Sequence, residues 1–159
     1  MNKETIQSFT ARITQASKSE LIVILYEMTL VRIEEAEKSY QENDLRNFDK
    51  ELKSAQKYVS ELMAALDYSY TISYDLLSLY LYTNKHIITA IVKQNPHTLQ
   101  YAKTILKKLL AGFKETSKSD KSGPMMRNTQ QLYAGLTYGK GSLNETFIDP
   151  SNKSRGFIA

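Results

Sequence analysis

The chain carries few of the side chains from which a catalytic centre is built. Nucleophilic catalysis needs a base held close to the nucleophile, and the only histidines are His86 and His97. There is no cysteine, which excludes a reactive thiolate, a zinc ribbon and an iron–sulfur cluster. A di-metal site in a helical bundle needs inward carboxylates and Glu-x-x-His pairs. Neither histidine follows a Glu by three. His86 is expected on an exposed helix face and His97, just after Pro96, on the surface of a first turn. Gly139-Lys140-Gly141 lacks the surrounding pattern of a phosphate loop and reads as a flexible turn. No catalytic residue, cofactor or metal is expected.

The chemistry the sequence does offer is apolar contact, and amphipathic helices must position it. Before Gly112 the only glycine or proline is Pro96, and long unpunctuated stretches rich in Leu, Lys, Glu and Ala argue for helices. Four segments stand out. The first, about 18–42, opens on a capping box of Ser17 and Glu20. The second, about 44–68, has an apolar stripe of Leu45, Phe48, Leu52, Ala55, Val59, Leu62 and Leu66 in steps of three and four. The third, about 71–93, has Ile72, Leu76, Leu79, Thr83, Ile87 and Ala90. The fourth opens on the cap residue Asn95 with Pro96 at its first position. It carries Leu99, Ala102, Leu106, Leu109 and Phe113 and fades near Ser117.

Short links make neighbouring helices antiparallel. The expected fold is therefore all-α: an antiparallel up-and-down four-helix bundle with an N-terminal arm and a mostly irregular C-terminal tail. In domain terms, residues 1–118 form the bundle with its arm (1–17), and residues 119–159 form a linker and flexible tail. Leu132, Tyr133, Leu136 and Tyr138 are the tail residues placed to dock on the bundle or on a second partner, with a disordered tail as the favoured reading.

Composition narrows the partners. The formal charge is +4, from 21 basic and 17 acidic residues. The cations are spread along the chain, without the single basic face of a nucleic-acid binder. Residues 1–19 hold no apolar run of signal-peptide length, and the longest apolar stretch, Leu21 to Tyr26, is too short to span a bilayer. The expectation is a cytoplasmic protein with no nucleic-acid partner and no membrane insertion.

Two helices are more apolar than a bundle requires. A bundle helix needs one stripe. The first helix has a core stripe of Ile22, Leu25, Tyr26, Thr29, Ile33, Ala36 and Tyr40, and a second face of Leu21, Ile24, Met28 and Val31. The third helix has a second face of Tyr70, Tyr74, Leu77, Leu81 and Ile88. Two arrangements account for this surplus. Either the chain's own arm or tail buries the extra faces, or they line a groove for a partner, as exposed apolar patches usually do. Both hold together if the arm covers the groove until a partner displaces it. Ile6, Phe9 and Ile13 are spaced to do so.

The segment Ile13-Thr14-Gln15-Ala16-Ser17-Lys18-Ser19-Glu20-Leu21, followed by Leu25-Tyr26, resembles the opening of the flagellar secretion chaperone family, FliS. Ala55-Gln56, Glu61-Leu62, Leu66-Asp67 and Leu79-Tyr80-Leu81-Tyr82 resemble later family motifs, in the same order and spacing, over about residues 9–113. Lys18 departs from the family's common proline, Phe9 from its tyrosine and Phe113 from its frequent tryptophan. The resemblance implies a cytosolic export chaperone whose bundle binds the disordered C-terminal segment of flagellin. It would prevent premature polymerisation and deliver the subunit to an export gate component. It also implies an extended N-terminal arm that sits in the groove when flagellin is absent. The alternative class is a generic four-helix adaptor or regulatory domain that binds an amphipathic helix of another partner.

Overall fold

The computed structural model describes residues 1–126. Five α-helices follow one another: α1 (Lys3–Gln15), α2 (Lys18–Gln41), α3 (Leu45–Ala64), α4 (Ile72–Lys93) and α5 (Leu99–Lys118), with a short 3-10 turn at Pro96–Thr98 before α5. No strand occurs among the described residues. The tail residues Leu132, Tyr133, Leu136 and Tyr138 and the Gly139-Lys140-Gly141 turn lie outside them.

Local chemistry sets the helix ends. The Ser17 backbone N–H donates to Glu20 Oε2 at 2.7 Å and the Glu20 N–H donates to Ser17 Oγ at 3.3 Å, the expected capping box. Asp44 and Asn95 cap the helix and turn that follow them by accepting from Asn47 N and His97 N. Asn43 and Gln94 adopt positive φ (58° and 49°), the left-handed turns by which the chain leaves α2 and α4.

One element differs from the expectation. The N-terminal arm is a 13-residue helix, not an extended segment. The side chain of Asn2 accepts from the Thr5 N–H at 2.8 Å and starts it. Once it is helical, the three- and four-residue steps between Ile6, Phe9 and Ile13 give it one apolar side.

Helix α2 packs on α3 and α5, α4 packs on the same two helices, and α1 packs on α2. Most of the main core is the expected one: Ile33, Phe48, Leu52, Ala55, Val59, Ile87, Ala90, Leu99, Ala102 and Leu106 are fully buried, but Tyr80 joins them where Leu76 and Leu79 were expected, and those two are half-buried. Ile72 is a correction. It was expected in the core, but it stands at the first turn of α4, beyond the reach of the neighbouring helices, and is 64% exposed. Leu45, at the first turn of α3, is likewise exposed.

Two tyrosines meet at the centre. Tyr26 of α2 and Tyr80 of α4 are buried, and their hydroxyls share a hydrogen bond of 2.5 Å. The Tyr26 ring also lies 5.4 Å from that of Phe113. Burial pushes both phenols above their ordinary range. Each hydroxyl satisfies the other, so removing one strands its partner in the core at a cost of about 1–3 kcal/mol. In urea unfolding, Tyr26→Phe and Tyr80→Phe should each lose stability of that order, and the double variant should lose clearly less than the sum. Additive losses would mean the two hydroxyls are energetically independent.

Candidate functional site

The second face of α2 is the first candidate surface. Ile24 is buried there with Phe9 and Ala16, and Leu21, Met28, Val31 and Ile13 pack half-buried around them. The cover is α1. Phe9 and Ile13 make the contact, whereas Ile6 stays 45% exposed and does not contribute to the cover. Val23 and Leu30, also on α2, are buried as well. Helix α1 is too narrow to close the whole face. Beside it an apolar cleft of about 440 Å³ remains, lined by Leu21, Ile24, Leu25 and Met28 of α2, by Ile13 and Met125, and by Ala64 and Ala65 at the end of α3.

Ion pairs fix α1 at its C-terminal end. Glu27 of α2 lies 2.6 Å from Arg12 of α1 and 2.8 Å from Lys114 of α5. Partial burial works to raise the Glu27 pKa, but the two cations outweigh it and hold the carboxyl below its usual range. Arg12 also stands 5.7 Å from the centroid of the Phe9 ring, within cation–π distance. A more buried pair, Arg32 with Glu51 at 2.7 Å, ties α2 to α3.

The second face of α4 is the other candidate surface, and it is open. Tyr74 is 57% and Leu81 53% exposed. Tyr70 and Ile88 are exposed with them, while Leu77 is half-buried. At 100° per residue Tyr74, Leu77, Leu81 and Ile88 share one side of the helix and Val92 extends it by one more turn, whereas Tyr70, expected on this face, lies in the turn before α4. Tyr68 packs its ring 5.5 Å from that of Tyr74.

On another side of α4 three rings meet at edge-on and tilted angles. His86 lies between Tyr82 (4.4 Å) and Tyr101 of α5 (5.0 Å). His86 is therefore half-buried, correcting its expected place on an exposed face. Burial and the neighbouring Lys85 lower its pKa and favour the neutral ring. Among the described residues no group of three or more His, Asp or Glu side chains is placed to hold a metal. No helix of the described residues is long and apolar enough to cross a membrane.

The structure brings Leu21, Ile24 and Met28 together at one cleft and lines up Tyr74, Leu77, Leu81 and Ile88 on one stripe. It does not bring the two sets together, because α2 and α4 each take α3 and α5 as main neighbours. Sequence reasoning missed Val92, Tyr101 and Met125. Val92 was findable as Ile88 plus four. Tyr101 and Met125 reach these surfaces only through the fold.

A family model described as the flagellar protein FliS matches residues 1–120, from the start of α1 through the end of α5. No curated protein sequence matches the chain. The match spans every helix that builds or covers the two apolar surfaces, and the chain belongs to the FliS family.

Proposed function

We propose that this chain is a cytosolic export chaperone that binds the C-terminal segment of flagellin and carries it to the flagellar export gate. Family membership supports a flagellar chaperone role. We read α2–α5 as an antiparallel up-and-down four-helix bundle; the ring of contacts from α2 to α3, α4, α5 and back, joined by short links, supports this.

The observation that carries the binding reading is the uncovered stripe of Tyr74, Leu81 and Ile88 on α4. Folding leaves it in water, and large contiguous apolar exposure marks binding surfaces. Tyrosine suits such a surface, with an apolar body and a polar tip. The partner's chemistry follows: an amphipathic helix lays its apolar side on the stripe. The α2 face accepts a second helical stretch in the place of α1. Since these faces belong to helices that are not main neighbours, one partner touching both wraps around the bundle. A disordered segment wraps in this way, and its ordering cost offsets much of the gain from burial. At about 25 cal/mol per Å² of apolar area the gross gain is large, so the complex can be firm yet releasable.

Calorimetric titration with a flagellin C-terminal peptide tests the proposal. Leu81→Asp and Tyr74→Asp should each weaken binding roughly tenfold or more, as loss of about 1.5–3 kcal/mol of side-chain burial predicts, with the helical circular dichroism intact. Unchanged affinity in both variants would overturn the assignment of the α4 stripe.

Phe9→Asp, which detaches α1, should tighten binding of the same peptide; weaker or equal affinity would show that α1 does not compete. Docking of α1 should also depend on acidity. The Glu27 carboxyl is depressed in the folded chain, so its contribution is full above its ordinary pKa of about 4.3 and is lost as pH falls through the lower folded value. NMR of the Phe9 ring should show α1 loosening only once the pH falls below the usual carboxylate range. In Glu27→Gln that acid step should vanish.

A further inference from the structure

After α5 the chain does not simply leave the molecule. Residues 119–125 turn back toward the junction of α1 and α2. The Ser19 hydroxyl at the start of α2 donates to the Asp120 carboxylate. The same carboxylate accepts from the Ser122 N–H at 2.9 Å and from the Ser122 hydroxyl, so one group fixes both the turn and its anchor. Five residues on, the Met125 N–H donates to the Ala16 carbonyl at 3.0 Å. Met125, itself 58% exposed, then lines the edge of the same apolar cleft as Ile13.

Little in the composition of this stretch explains the fold-back. Lys118-Ser119-Asp120-Lys121-Ser122-Gly123-Pro124 contains no apolar side chain large enough to seek burial, save proline. Specific bonds hold it instead. The family match ends at residue 120, so the Met125 contact lies beyond the matched residues.

The acceptor decides what the contact does. Ala16 is not part of either helix. With Ser17 it forms the two-residue hinge between α1 and α2; it is buried and extended (φ −75°, ψ 137°). The Ser17 N–H of that same peptide is bonded to Glu20, so the Ala16 carbonyl is held to the start of α2 and the Met125 bond pins the strap there. Met125 and Ile13 line the same cleft, so when α1 leaves, Met125 loses Ile13 as a fellow lining residue.

We infer that residues 119–125 form a strap clasped to the start of α2, a second cover on its apolar face whose Met125 shares the cleft with Ile13, so that strap and α1 hold each other on that face. This rests on the reading of the face as the flagellin site. A partner segment that displaces α1 then uncovers Leu21, Ile24 and Met28 from both sides. By linkage the coupling is reciprocal: whatever loosens the strap loosens α1 to the same degree.

Amide hydrogen exchange on the full chain tests the clasp without any partner. Met125→Pro removes the donor itself, and combining it with Asp120→Ala also removes the anchor on Ser19. In this double variant the amides of α1 should exchange roughly 5–150-fold faster, the range of typical coupling between sites, while those of the α2–α5 core keep their protection. In the reverse direction, Phe9→Asp with Ile13→Asp should free the Met125 amide. Unchanged α1 exchange in the strap variant overturns the clasp, whatever the partner does. Faster α1 exchange with unchanged affinity for the flagellin peptide keeps the clasp and overturns the reading of the α2 face. Faster exchange with tighter peptide binding supports both.

Discussion

Helix α2 is apolar around most of its circumference. Leu21, Ile22, Val23, Ile24, Leu25 and Tyr26 follow without a polar break, so no rotation of the helix places all of them in a single core. Two neighbours, α3 and α5, take one side. The other side needs a third cover, because leaving several aliphatic side chains in water costs about 1.5–3 kcal/mol each. Helix α1 supplies that cover with Phe9 and Ile13, and its existence as a helix follows from this demand. An isolated helix of 13 residues is marginal in water and depends on the face it packs against.

A cover of this kind is replaceable. Only Phe9 is deeply buried among the large side chains of α1, and Ile6 contributes little. Its main electrostatic tie, Arg12 to Glu27, sits at a partly exposed edge, where ion pairs contribute modestly. The main core is different in kind. Its fully buried aliphatic stripes and the Tyr26–Tyr80 hydroxyl pair leave no group that gains by leaving. The molecule therefore combines a rigid body with a weakly held layer, the division expected where a partner competes with the chain's own segment.

The α4 stripe extends the same logic to a face with no internal cover. Leu81 and Tyr74 stand in water, while the rings of Tyr82, His86 and Tyr101 meet on another side of α4. In a family of flagellar chaperones, a partner that is disordered before assembly can satisfy both faces while a compact one cannot, since the faces are not adjacent. The wrapping mode we propose follows from that separation.

The sequence by itself determined the helices, their caps and most of the core, because these depend on spacing within about four residues. Ser17 with Glu20, the stripe from Phe48 to Leu62, and the second faces at Ile24 and Leu81 were all legible in that way. Tertiary structure decided what depends on which elements meet. It made a helix of the arm, because only docking on α2 stabilises so short a segment. It exposed Ile72 and half-buried His86, because neighbours, not periodicity, set burial at helix ends and between rings. It separated the α2 and α4 faces, which a helical wheel cannot relate to each other. And it returned Met125 to Ala16, a contact between residues far apart in the chain for which no local pattern carries a signal.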